Sequence, residues 1–194
     1  MITAFLDACV LVPISLTNVI LTAAEHGLIQ PYWSPTVEDE AVKAIQEVRP
    51  ALNEDRIRAR FDAMDDAFEG ACISGDPSTM NKHHFPDPDD KHVAAAAISA
   101  GASIIVTANL RDFPGPLMDK LGLTIMTPDE LLQMLLAEDP ELMVSVIVEV
   151  ADALQSPTQT PNDILTALRL AGAPRFAVET RDLLRDPIKS RSNT

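Results

Sequence analysis

The stretch IIVTANLRDFP at residues 104–114 decides the fold, because it joins a buried strand to a polar loop. Residues 103–107 (SIIVT) are apolar and β-branched, which predicts a β-strand. Residues 109–116 predict a loop, and the Ala-rich segment that ends at Gly101 predicts a helix before the strand. A helix that leads directly into an apolar strand is typical of α/β domains with a parallel sheet.

The same alternation extends outward from this stretch in both directions. Predicted strands lie at residues 2–6, 29–33 and 124–126, and predicted helices lie at about 13–25, 35–48, 54–71, 90–100 and 128–137. Strands that alternate with helices predict a central parallel sheet flanked by helices.

Downstream of residue 137 the pattern changes to helices alone. These helices are predicted at about 142–154, 161–171 and 174–184. Residues 144–150 are β-branched and would also fit a strand, but their amphipathic context favours a helix. We therefore predict an α/β domain at residues 1–135 and an all-helical C-terminal extension at residues 136–194.

The chain is acidic: among 194 residues, 29 are Asp or Glu and 15 are Lys or Arg, which gives a net charge of -14. This balance argues against a protein that holds nucleic acid on a broad basic face, and it fits a metal-binding protein or one with a cationic partner. The two cysteines, Cys9 and Cys72, cannot build a disulfide framework. We expect no signal peptide, no membrane span and a cytoplasmic protein, because no long apolar run and no basic leader occurs.

Four acids stand where the predicted sheet would bring them together. Asp7 follows the first strand, Glu40 lies in the helix after the second, and Asp90 and Asp112 flank the strand at residues 103–107. Ligands of open α/β sheets bind beyond the carboxyl ends of the strands. Carboxylates this close repel one another and require a cation or raised pKa values, and ligation by oxygen alone suits Mg²⁺ or Mn²⁺. Such a centre can activate water for attack on a phosphate.

Four segments together resemble the PIN domain, a Mg²⁺-dependent ribonuclease fold that includes the VapC toxins. They are FLDACVLV at residues 5–12, WSPTVEDEAVKAI at 33–45, FPDPDDKHVAAAA at 85–97 and IIVTANLRDFP at 104–114. Each segment alone is a weak signal, but their order and spacing make the combination specific. The helical extension is similar, more loosely, to one found on PIN proteins of toxin–antitoxin pairs.

The resemblance implies a PIN-like three-layer fold and an endoribonuclease that hydrolyses RNA with metal-activated water. It assigns catalysis and the binding of one or two Mg²⁺ (or Mn²⁺) ions to Asp7, Glu40, Asp90 and Asp112. It assigns supporting roles to Asp87, Thr107 and Asn109. The implied partners are single-stranded RNA, a cognate antitoxin that inserts a basic side chain into the acidic crevice, and a second copy of the chain in a homodimer.

Neighbouring acids leave two of these positions open, since acids favour the first turn of a helix whatever their function. The competing residues are Glu38 and Asp39 beside Glu40, and Asp87 and Asp89 beside Asp90. The spacing from Trp33 favours Glu40, and the Asp-x-His-Val register favours Asp90. We interpret His92 as a helix residue that packs beside the site.

Arg56, Arg58 and Arg60 form the main basic patch of the predicted α/β domain. They would grip RNA phosphates at the rim of the site, or they form a solvated helix face paired with neighbouring acids. Both interpretations stay open at this point.

Two other functions are alternatives to the ribonuclease. A PIN fold without turnover would serve as a protein–protein interaction module, although four intact acids argue against this. A Mg²⁺-dependent phosphohydrolase would use Asp7 as its nucleophile, but that chemistry usually needs an acid two residues later, where this chain has Cys9.

Overall fold

The computed structural model describes residues 2–154 and 157–185, which pack into two compact units. The first unit comprises the residues up to 12 together with 30–126, and the second comprises 13–29 and the described residues from 127 onward. Residues 186–194 of the predicted extension lie outside the described residues. The domain boundary at residue 135 stays a prediction, since a packing unit need not fold alone.

The central sheet has four strands in the spatial order β2-β1-β3-β4. The strands are β1 Ile2–Leu6, β2 Ile29–Tyr32, β3 Ile104–Val106 and β4 Thr124–Met126. β1 pairs with β3 and β3 pairs with β4, both in parallel, and the register sets Leu6 beside Val106. The predicted α/β class is confirmed, and the carboxyl ends of β1 and β3 lie next to each other.

The helices of the described residues agree with most of the predicted ones to within a few residues. In chain order they are α1 Ala8–Leu11, α2 Ile14–Glu25, α3 Pro35–Val48, α4 Glu54–Ala67, α5 Lys91–Ser99, α6 Gly115–Leu121, α7 Pro128–Glu138, α8 Pro140–Ala153, α9 Pro161–Leu170 and α10 Pro174–Arg185.

Three differences from the prediction have local causes. The helix predicted over residues 54–71 ends at Ala67, because Phe68 leaves the helical conformation and Gly70 has a φ of 81°. The sequence does not predict α1, since four residues are too few to show a helical period. It does not predict α6 either, because Gly115 and Pro116 are typical of a loop, although proline is favourable in the first turn of a helix.

The second unit is helical: α7, α9 and α10 begin at the predicted residues, and α8 begins two residues before its predicted start. A side chain caps α7, α8 and α9 (Thr127, Asp139 and Thr160), and a proline follows each cap. Residues 144–150 lie within α8, so the predicted helix is confirmed and the alternative strand is wrong. Among the described residues, no helix combines the length and apolar character needed to cross a membrane.

Asp129 joins two helices of this unit. Its side chain is buried and accepts hydrogen bonds from Arg175 Nε at 2.9 Å and from the backbone N–H of Phe176 at 3.0 Å. Because a buried carboxylate is costly without partners, these bonds fix the start of α10 against α7.

Candidate metal centre

Asp7 is held in place on both of its carboxylate oxygens. Oδ1 accepts the backbone N–H of Ala8 at 2.7 Å, which caps α1, and Oδ2 accepts the Thr107 hydroxyl at 2.6 Å. Cys9 Sγ also donates to Oδ2, at 3.3 Å. Asp7 and Thr107 follow the paired residues Leu6 and Val106, so the parallel register of β1 and β3 delivers them to the same place.

Asp90 lies at the end of a 3₁₀ turn, Pro88–Asp90, immediately before α5. Its pKa is raised to about 6, first by burial and then by the negative charges of Asp112, Asp7 and Asp87. Asp90 therefore lies within the electrostatic field of two of the other predicted acids, Asp7 and Asp112, and of Asp87.

Asp112 is tied to the same site through the loop after β3. The side-chain amide of Asn109 donates to the Asp112 carboxylate, and the backbone N–H of Asn109 donates to Thr107 Oγ1 at 3.0 Å. Thr107 thus contacts both Asp7 and the Asn109 backbone. A single hydroxyl links the ends of β1 and β3, which is the arrangement expected of supporting residues.

Glu40 reaches the site through a histidine rather than through the other acids. Its Oε1 accepts a hydrogen bond from His92 Nε2 at 2.9 Å. Burial lowers the pKa of His92, but the hydrogen bond and charge of Glu40 and the charges of Asp7 and Asp90 outweigh it, so the pKa is raised. The sequence predicts His92 only as a helix residue that packs beside the site. Its position two residues after Asp90 is the one feature of the sequence that could have indicated a closer role.

The three consecutive acids of α3 point to different partners. Glu38 contacts Cys72, Asp39 accepts a hydrogen bond from Arg58 at 2.9 Å, and Glu40 binds His92. A helix turns about 100° per residue, so consecutive side chains cannot share one site. Of the three, Glu40 is the one bonded to a residue within the charge field of Asp7 and Asp90.

A second group of metal-ligand types lies within the first unit. Donor atoms of Glu38, Asp65 and Cys72 all lie within 4.8 Å of one another, and Trp33 Nε1 donates to Asp65 at 2.8 Å. Burial, together with the charge and hydrogen bond of Asp65, raises the pKa of Glu38 to about 7. The sequence does not predict this cluster, because it forms only when α3, α4 and the segment that carries Cys72 pack together.

The three arginines of the basic patch on α4 have different surroundings. Arg58 binds Asp39 at 2.9 Å and Glu54 at 2.8 Å, as the solvated-face interpretation predicts. Arg60 donates to the Leu11 carbonyl at 2.9 Å, and burial lowers its pKa to about 10. Arg56 is exposed. Any contact of these arginines with RNA stays a prediction.

The donor set fits a divalent cation of the Mg²⁺ class. Asp7, Asp90 and Asp112 supply carboxylate oxygens, and the negative charges of Asp112 and Asp7 add to burial in raising the pKa of Asp90. A hard cation with oxygen ligands would relieve that repulsion. The neighbouring Cys9 is a poor ligand, because burial and the charge of Asp7 raise the pKa of its thiol to about 11.

Comparison with known proteins matches both parts of the chain. The sequence model of the PIN domain family matches residues 3–111, which include Asp7, Glu40 and Asp90 and end one residue before Asp112. That of the VapC50 C-terminal domain matches residues 128–182. A protein of Mycobacterium tuberculosis named "Putative ribonuclease VapC50" is 35% identical over 106 residues, 55% of this chain. The match spans 60% of that relative's length, and no solved structure matches the chain significantly.

Proposed function

The chain belongs to the PIN domain family, and from that premise we propose that it is a metal-dependent endoribonuclease, the toxin of a toxin–antitoxin pair. The observation that carries the proposal is the electrostatic coupling of Asp90 to Asp7 and Asp112, whose negative charges add to burial in raising the pKa of Asp90 to about 6. The relative named as a ribonuclease supports the activity, and the name VapC50 supports the toxin role.

In the proposed mechanism Asp7, Asp90 and Asp112 hold one or two Mg²⁺ or Mn²⁺ ions. When bound, the metal lowers the pKa of water and offsets charge on the phosphate. Thr107 keeps Asp7 in its binding orientation, and Asn109 does the same for Asp112. Glu40 has one oxygen engaged by His92 and is 40% exposed, so it remains accessible to water in the site.

The acidity of the chain shapes how RNA would bind. At a net charge of -14, phosphates are repelled at long range, so the cation and a few local bases must supply the attraction. We assign this role to the α4 arginines, of which Arg58 must first leave Asp39 and Glu54. The same reasoning makes the acidic centre a target for an arginine or lysine of an antitoxin. A homodimer is part of the proposal by family resemblance alone.

An RNA cleavage assay tests the activity with a matched pair of neighbouring aspartates. Wild type should cleave a mixed-sequence pool of single-stranded RNA with Mg²⁺ or Mn²⁺ and not with EDTA. Asp90→Asn, Asp7→Asn and Asp112→Asn should each lose about 100-fold or more, since ligand loss exceeds the loss typical of outer-shell residues. Asp89→Asn, at the neighbouring and exposed aspartate, should retain activity.

Two outcomes would reject the nuclease. The first is a wild-type protein that leaves the whole pool intact with either metal, which would favour the interaction module. The second is equal activity in Asp90→Asn and Asp89→Asn at equal purity, since a trace contaminant would not distinguish the two variants.

A further inference from the structure

We propose that His92 is the positioning residue for Glu40: the imidazole holds that carboxylate at the edge of the metal centre. The inference rests on the proposed function, since it concerns the same centre. It starts from the hydrogen bond of 2.9 Å between His92 Nε2 and Glu40 Oε1, which joins α3 to α5.

The two partners differ in how firmly the protein holds them. The His92 side chain is 14% exposed, whereas that of Glu40 is 40% exposed. An exposed glutamate samples several rotamers, and ordering it costs free energy. The packed imidazole is the rigid partner, so the bond restricts Glu40 far more than it restricts His92.

In the part of the chain that the structure describes, no competing hydrogen bond forms at the other ring nitrogen of His92. Its Nδ1 is buried and has no partner within residues 2–154 and 157–185. The ring is thus oriented by packing and directs its one described hydrogen bond at Glu40. Two residues before it, at the start of the same helix, lies Asp90. The first residues of α5 and the residue before it therefore provide both an acid of the centre, Asp90, and the side chain that orients Glu40, His92.

Residues that orient the ligands of a metal typically change metal affinity or activity by about 10- to 100-fold when mutated. We therefore expect His92→Leu to bind Mn²⁺ about 10-fold more weakly than wild type, because Glu40 turns to solvent. His92→Gln should stay within about 3-fold, because its amide places an N–H donor near the position of Nε2. His92→Phe, which keeps a ring in the space, should behave as His92→Leu does.

The experiment titrates the full chain with Mn²⁺, without RNA, and follows the free ion by electron paramagnetic resonance. His26→Leu is the matched control, because His26 also bonds a glutamate (Glu149, at 2.8 Å) but lies in the second unit. It should not change Mn²⁺ affinity. A double-mutant cycle places His92→Leu in a Glu40→Ala background, where it should cost less than about 2-fold further, since coupled residues are not additive.

Each result decides the inference. It is overturned if His92→Leu and His92→Phe bind Mn²⁺ as wild type does, or if His92→Leu costs the same factor with and without Glu40. It is also overturned if His92→Gln, folded by its melting curve, is as weak as His92→Leu, since the donor would then not matter. A wild-type chain that binds no Mn²⁺ refutes the proposed function itself, and that outcome is distinct from the other three.

Discussion

Thr107→Val tests whether one hydroxyl holds the metal centre together. The Thr107 side chain is fully buried, donates to Asp7 at 2.6 Å and accepts the N–H of Asn109 at 3.0 Å. Valine has nearly the same shape as threonine, but its side chain can neither donate nor accept a hydrogen bond. The variant should therefore lose both of these hydrogen bonds, and the longer contact of the hydroxyl with Cys9 Sγ at 3.5 Å, without opening a cavity.

The magnitude follows from those two bonds. A hydrogen bond to a charged group contributes about 1.5–3 kcal/mol, and a neutral one about 1 kcal/mol. Greater burial of an apolar methyl offsets about 1 kcal/mol of this loss. We expect the free energy of unfolding to fall by about 1.5–3 kcal/mol, which at a urea m-value of about 2 kcal/mol/M lowers the midpoint by about 0.75–1.5 M.

The assay is urea denaturation at pH 7 in EDTA, so that metal binding does not contribute. Thr180→Val is the matched control, because Thr180 is also fully buried and its hydroxyl has no partner in the part of the chain that the structure describes. Removing an unsatisfied hydroxyl should leave stability equal or slightly higher. Equal midpoint shifts for the two variants would refute the assigned role of Thr107.

Three further predictions concern packing, pH and a buried carboxylate. Gly75→Ala should destabilise the chain by about 1–3 kcal/mol, because a Cβ there would lie 2.3 Å from a backbone nitrogen of α5. Gly115→Ala is the control, because a Cβ at Gly115 would have no atom within 4 Å. Calorimetry of both variants checks this, and equal melting temperatures would contradict it. Burial and neighbouring carboxylates raise the pKa of Asp90 from 3.8 to about 6 on folding, so metal-free stability should fall as pH rises between those values. Asp90→Asn should remove the part of this loss of stability that comes from Asp90. Urea denaturation of both proteins at each pH measures it, and an equal loss of stability with pH in the two proteins would count against the prediction. Asp129→Ala should cost about 1–3 kcal/mol by leaving the Phe176 N–H without its acceptor, measured by urea denaturation; an unchanged midpoint would mean that water replaces the carboxylate.

The sequence predicts those parts of the fold that depend on local pattern. β3 and α5 follow from a β-branched run and an Ala-rich run, and both are confirmed. The sequence also indicates why Asp7, Asp90 and Asp112 would group. Asp7 and Asp112 follow parallel strands, and Asp90 precedes the helix that leads into β3, so all three are expected at the carboxyl edge of the sheet.

What the sequence does not predict depends on how helices pack side by side. The bond between Glu40 and His92 joins residues 52 positions apart. Glu38 contacts Cys72, 34 positions away. No period or motif in one segment reports which face of another segment it meets. Three consecutive acids on α3 could be ranked by register, but their partners could not be named.

The assignment of α2 to the second unit has a consequence for how the sequence can diverge. α2 packs on α8 and α9, yet its codons lie between two segments of the first unit. A gene cut after β4 would leave four buried apolar side chains of α2 without those neighbours: Leu16, Val19, Ile20 and Ala23. Deletion of the helical tail should therefore expose the apolar face of α2, and a substituted tail should be tolerated only if it covers that face. We therefore expect residues 13–29 and the tail to change together during divergence, although they are separate in the sequence.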